Sequence, residues 1–158
     1  MSNAKFQTQL KQGQKYELKS LEYLTYDTYT HDTKYRKEYD LIIYDKGKKI
    51  KVEVKSDRQA SHTDNMAIEF RCSEKPSGIT STEADLWVYF IVHKNRDECY
   101  IFPIEDLKNL IKGCRKVRGG DFNRSEMYLL SKYKCRKYLR EIKQDSSERE
   151  IMQEMGEI

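Results

Sequence analysis

Residues 40–55 read DLIIYDKGKKIKVEVK, and this stretch decides the fold. Leu41-Ile42-Ile43-Tyr44 is a short apolar β run, and Lys48 to Lys55 alternates, with Ile50, Val52 and Val54 set against Lys49, Lys51, Glu53 and Lys55. Apolar residues at every second position mark a strand with one buried face. Lys46-Gly47 lies between the runs and reads as a two-residue hairpin turn. That loop length sets the register: Tyr44 opposes Lys49, Leu41 opposes Val52 and Asp40 opposes Glu53. Leu41, Ile43, Ile50, Val52 and Val54 then share one face, and Asp40, Glu53 and Lys55 share the other. A three-residue loop would slip the pairing by one and separate the two acids across the faces.

Working outward, Phe6 to Leu24 reads as a helix whose Phe6, Leu10, Gly13, Glu17, Leu21 and Leu24 recur at steps of three and four along one stripe. The polar, Tyr-rich stretch Asp27 to Lys37 reads as loop. Met66 to Arg71 is a third strand, Thr80 to Asp85 has helix-start chemistry, and Leu86 to His93 and Glu98 to Phe102 are two more strands, the last ended by Pro103. Glu105 to Lys112 reads as a helix, Gly119-Gly120 as a break, and Ser125 to Gln144 as a long basic helix. The order predicts an α/β (α+β) sandwich with a mixed central sheet. We expect a core domain over 1–112 and, packed on it, a basic helical extension with an acidic tail over 113–158.

Two carboxylates opposed across a strand pair repel each other. Lys55, or a hard divalent cation, would offset that repulsion, and Mg²⁺ typically takes only one or two protein carboxylates. Glu17 is a second anomaly, a charge within an apolar stripe, which is costly unless paired or metal-linked. Gly13, one turn earlier, would let this helix approach the sheet and carry Glu17 toward the acids. The plainer alternatives stay open: a wet strand face for Asp40 and Glu53, and a stripe-edge position for Glu17.

Composition narrows the partners. The 158-residue chain carries a formal charge of only +4, but Lys108 to Lys143 holds twelve Lys or Arg against three acids, whereas Asp145 to Ile158 holds five acids against one Arg. Such asymmetry points to a polyanionic partner, or to a solvated, charge-rich helix. Cys72, Cys99, Cys114 and Cys135 are widely spaced, so free thiols are expected rather than a zinc site. His31, His62 and His93 are scattered with no partner at ligand spacing. With no secretory or membrane-spanning run, a soluble, cytoplasmic protein is expected. Trp87 and Tyr89 read as core residues.

Gln12-Gly13-Gln14-Lys15-Tyr16-Glu17 in a first helix, then Asp40, then Glu53-Val54-Lys55, resembles the PD-(D/E)xK, restriction-endonuclease-like superfamily. The stretches Ala67-Ile68-Glu69-Phe70, Lys75-Pro76-Ser77-Gly78-Ile79 and Ala84-Asp85-Leu86-Trp87-Val88-Tyr89-Phe90 are similar to small phage-type and mobile-element-type members. The resemblance covers roughly residues 6 to 112, and it departs from the motif's name at Tyr39, where a Pro would stand. It implies a restriction-endonuclease-like core and Mg²⁺-dependent hydrolysis of DNA, with structured or branched DNA among the candidate substrates and Mn²⁺ as a substitute. It implies metal binding by Asp40, Glu53, the Val54 carbonyl and Glu17, a catalytic Lys55 that orients or deprotonates water, and polar active-site positions at Gln59 and Glu69. Phosphate-backbone contacts are expected from Lys116, Arg118, Lys132, Lys134, Arg136 and Lys137 of the basic stretch and from Lys75, whose loop Lys75-Pro76-Ser77-Gly78 reads either as a phosphate-holding loop or as a simple turn. Tyr128, Tyr133 and Tyr138 would stack on unpaired bases or pack on the core. The competing readings are a catalytically inactive nucleic-acid-binding module on the same fold, and an interaction domain forming a homodimer through its C-terminal helix.

Overall fold

The computed structural model describes residues 3–31 and 39–143, with 3–10 described as backbone alone. The acidic tail from Asp145 and most of the 27–37 loop lie outside the described residues. The first sheet has six strands: β1 (Thr28–Thr30), β2 (Leu41–Asp45), β3 (Lys48–Asp57), β6 (Leu86–Val92), β7 (Asp97–Pro103) and β10 (Leu139–Arg140), in the order β1-β2-β3-β6-β7-β10. Only β3 and β6 run parallel, which makes the sheet mixed. The chain between them builds α2 (Ala60–Thr63), β4 (Asn65–Cys72) and β5 (Lys75–Pro76). These two strands join β8 (Arg115–Gly119) and β9 (Ser125–Ser131) in a second, antiparallel sheet of order β5-β4-β9-β8. Helix α1 (Asn3–Lys19) precedes the first sheet, and α3 (Ile104–Leu110) follows β7.

The β2–β3 hairpin has the register its sequence dictates, Tyr44 opposite Lys49 and Leu41 opposite Val52. Lys46 (φ 51°) and Gly47 (φ 79°) both take the left-handed conformation that a tight two-residue loop demands. The ladder ends at Leu41–Val52, and Asp40 extends it by donating its N–H to the Val52 carbonyl at 2.9 Å. The parallel β3–β6 pair is seeded by Asp85, whose carboxylate accepts the Lys51 N–H at 2.9 Å and whose own N–H donates to the Lys51 carbonyl.

Two apolar clusters cover the faces of the first sheet. Leu21, Tyr23, Leu24, Leu41, Ile43, Val52, Val54, Val88 and Phe90 form one, with Tyr16 of α1 packed against Phe90 at 5.1 Å between ring centroids. Met66, Ile68, Trp87, Tyr89, Phe102, Leu107 and Leu130 belong to the other, which ties the two sheets together. Tyr89 crosses between the sheets: its hydroxyl donates to Asp57 at 2.6 Å and accepts the Ala67 N–H at 3.1 Å. As read from the sequence, Trp87 and Tyr89 are buried, and all four cysteines are free.

Four expectations are corrected. The long basic helix over 125–144 does not form; the chain there makes β9, a 3-10 segment (Lys132–Tyr138) and β10. Tyr128 and Leu130 pair with Ile68 and Met66 and face the shared core, so the apolar period is two, not 3.6. No helix forms over 80–85, where a 3-10 turn (Gly78–Thr80) leads into irregular chain held by the Ala84 N–H on Thr82 Oγ1. Thr28–Thr30, read as loop, forms an edge strand. Gly13 does not serve close packing, since a Cβ there would meet nothing within 4 Å.

Candidate active site

The hairpin delivers Asp40, Glu53 and Lys55 to one cleft of about 450 Å³. Its opposite wall comes from the second sheet: Glu69 and Cys72 of β4, then Lys75, Pro76, Ser77 and Gly78. Glu69 lies between Ile68 and Phe70 of the core cluster, so strand alternation turns it away from that core and toward Lys55. A smaller adjoining cavity of about 230 Å³ shares Lys55 and Glu69 and is lined as well by Asp57, Trp87 and Tyr89.

Asp40 is fixed at both ends. Its backbone bonds β3, and its Oδ2 accepts the Val54 N–H at 2.7 Å. Burial pushes the Asp40 carboxyl pKa up, against the Val54 N–H, Lys55 and His31, which pull it down. Glu53 is 7% exposed. Its Oε1 pairs with Lys55 Nζ at 3.0 Å, while its Oε2 is buried with no hydrogen-bond partner among the described residues. Burial raises the Glu53 pKa to about 7, opposed by Lys55 and assisted by Asp40 and Glu17. Lys55 stays cationic: burial works to lower its pKa, and Glu53, Asp40 and Glu69 outweigh it. Its ammonium also lies 5.6 Å from the Trp87 ring centroid, over the single tryptophan of the chain.

Glu17 reaches this charge cluster from α1. Burial, then Asp40, raises its pKa to about 7, and Lys55 opposes them. Its Oε1 is 3.4 Å from His31 Nε2. His31 is the participant that the sequence did not reveal, because a lone histidine in a polar loop carries no spacing signal. Gln59 stands apart: it is exposed at the start of α2, its N–H donating to Asp57 Oδ1 at 2.8 Å, and it is not among the residues lining the cleft.

The basic residues divide. Lys75 lines the cleft. Lys134 and Arg136 are exposed, as is Lys137, which lies over the Tyr138 ring. Lys116 covers the Phe70 and Tyr128 rings, and Arg118 is 3.6 Å from Glu126. Lys132 has a structural role, pairing with Glu98 at 3.1 Å and Asp64 at 3.5 Å with only 14% of its side chain exposed. Tyr138 is buried with its hydroxyl on Asp106, Tyr128 packs on Phe70, and Tyr133 is exposed with its hydroxyl on Asp64.

The acid pair offers oxygen donors to a hard cation. No group of three or more His, Cys, Asp or Glu able to hold a metal occurs among the described residues. Magnesium asks less, since one or two carboxylates with water complete its shell, and the orphaned Glu53 Oε2 is the kind of buried acceptor that a cation would satisfy. No helix among the described residues is long and apolar enough to cross a membrane. No protein-family model, curated protein or solved structure matches the chain.

Proposed function

We propose that this chain is a divalent-metal-dependent endonuclease that hydrolyses DNA phosphodiester bonds, with the site arrangement of the PD-(D/E)xK, restriction-endonuclease-like proteins its sequence resembles. The observation that carries the reading is the buried Glu53 Oε2, without a hydrogen-bond partner among the described residues, in a cleft that Asp40 and Lys55 share. Asp40 and Glu53 would hold Mg²⁺ or Mn²⁺. When bound, such a cation lowers the pKa of water and neutralises charge building on the phosphate. Lys55 would hold the attacking water and steady the negative charge of the transition state. Glu17, with a pKa of about 7, is ionised in part at neutral pH and suits a proton-accepting role beside the acids. Lys134, Arg136 and Lys137 would give salt-sensitive, sequence-independent contact with the backbone.

The second reading is a nucleic-acid-binding module without catalysis, which the Lys55–Glu53 ion pair favours by engaging the catalytic cation within the protein itself. Incubating plasmid and branched DNA with Mg²⁺ or Mn²⁺ separates the two. The nuclease reading expects cleavage by the intact protein and its loss in Asp40→Asn and Lys55→Ala. DNA binding without cleavage in all three proteins would leave the module. A preference for branched over plasmid substrate would identify the structured DNA as the target.

A further inference from the structure

The three buried side-chain polar atoms without a partner among the described residues are Glu53 Oε2, Ser77 Oγ and Trp87 Nε1. Each belongs to a residue lining the cleft or its adjoining cavity. Their chemistry is mixed. Glu53 offers an acceptor, Trp87 a donor, and Ser77 a hydroxyl that can donate. Buried polar groups in folded proteins are satisfied as a rule, so orphans gathered around one cleft point to a ligand that brings both a cation and anionic oxygens.

Ser77 is the informative member. It starts the 3-10 turn Gly78–Thr80 in an extended conformation (φ −151°, ψ 176°), where a serine hydroxyl ordinarily accepts a backbone N–H, yet it makes no such bond. Its position is nevertheless fixed. Lys75–Pro76 pairs with Arg71–Cys72 across a turn whose Ser73 and Glu74 both have positive φ, and the Ser77 N–H donates to the Phe70 carbonyl at 3.2 Å. Gly78 lies so close to β4 that a Cβ on it would come within 2.1 Å of the Glu69 carbonyl oxygen. Lys75, two residues from Ser77 in the same wall, is exposed and makes no ion pair among the described residues.

We propose that Lys75 and Ser77 form a phosphate-holding subsite on the wall facing Asp40 and Glu53, with the Ser77 hydroxyl donating to a non-bridging oxygen of the DNA backbone and the Lys75 ammonium balancing its charge. The inference rests on the nuclease reading and names two substrate-contacting side chains for it. The substrate backbone is thereby gripped between the two sheets, the acids on one side and the Lys75–Ser77 arm on the other. A buried hydroxyl without a partner among the described residues gains one when the phosphate arrives, so the interaction favours the bound state alone.

The test measures binding of a short, fluorescently labelled DNA duplex in EDTA, so that cleavage plays no part, together with thermal melting of the free proteins. Ser77→Ala is expected to weaken binding about tenfold, the loss typical of a hydrogen bond to a charged group. Its melting temperature is expected to hold or rise, because an unsatisfied hydroxyl is removed. Lys75→Ala is expected to weaken binding and to reduce the slope of log affinity against log salt by about 0.9, one phosphate contact. Binding by Ser77→Ala within about twofold of the intact protein, where the hydrogen bond should be worth far more, would overturn the proposal. So would a loss of affinity matched by a fall in melting temperature, which makes Ser77 a structural residue. A Mg²⁺ cleavage assay on the same proteins keeps the two claims apart: DNA held through Lys75 and Ser77 without being cut would refute the nuclease and leave the subsite standing.

Discussion

Replacing Glu53 by Gln should stabilise the metal-free protein at alkaline pH while abolishing the proposed cleavage. The Glu53 pKa stands at about 7 against an ordinary 4.5, chiefly through burial. At 1.36 kcal/mol per unit, the folded state bears on the order of 3 kcal/mol for holding this carboxylate ionised. The sign follows from proton linkage. A carboxyl with a higher pKa folded than unfolded binds its proton more tightly in the native state, so stability falls as pH rises from about 4.5 through about 7. Gln has no such titration. Part of the gain is returned because Lys55 loses its 3.0 Å partner, although Asp40 and Glu69 still act on that ammonium. The expected net gain is about 2 kcal/mol above pH ~7, vanishing below pH ~5. Urea unfolding in EDTA at about pH 5 and about pH 8 measures it. Added Mg²⁺ should then stabilise the intact protein at the higher pH, and not the variant. A variant less stable than the parent at about pH 8 in EDTA, or one equally stabilised at both pH values, would refute the claim that Glu53 is a strained, metal-seeking acid.

His31→Ala removes a group that lowers the Asp40 pKa, so the acid limb of the cleavage–pH profile should move toward higher pH, with little change above neutrality; an unmoved limb would deny His31 this role. Gly78→Ala places a Cβ against the Glu69 carbonyl at φ +52° and should cost about 2 kcal/mol or more in strain, seen in the urea midpoint, and weaken DNA binding by shifting the Ser77 wall. Lys132→Met breaks the pairs with Glu98 and Asp64 and should cost about 2 kcal/mol, between the surface and fully buried cases. DNA affinity measured by anisotropy should hold in that variant, and a stable protein that binds DNA poorly would return Lys132 to the interface.

The hairpin was legible because two signals agree in sixteen residues: strict alternation in β3 and a two-residue turn with glycine. Alternation turns Glu53 and Lys55 to one cleft, but the expected Asp40–Glu53 pair is not part of the ladder: the Asp40 N–H goes to the Val52 carbonyl, and Asp40 joins the cleft with its carboxylate on the Val54 N–H. Glu17 was legible as a charge in an apolar stripe, although Gly13 beside it has no packing role. The second sheet was not legible. The run Met127-Tyr128-Leu129-Leu130 is apolar at every position, so it satisfies periods of two and of 3.6 alike, and surrounding lysines tip the reading toward helix. Only its pairing with β4 decides. Likewise, nothing local to Met66–Arg71 tells which sheet it joins, so the sequence does not announce the wall that carries Glu69, a position the family resemblance names, and Ser77. Charge alone gives Lys132 to the backbone contacts, and does not show its carboxylate partners, Asp64 and Glu98, which are distant in the chain.

Mn²⁺ titration followed by electron paramagnetic resonance reads whether Asp40 and Glu53 hold a divalent cation. The intact protein should bind Mn²⁺, lose it to competing Mg²⁺ and show quenched Trp87 fluorescence on binding, with binding lost in Asp40→Asn and in Glu53→Gln. Intact protein that leaves Mn²⁺ free, or both variants binding it as the parent does, would show that these two acids are not a cation site.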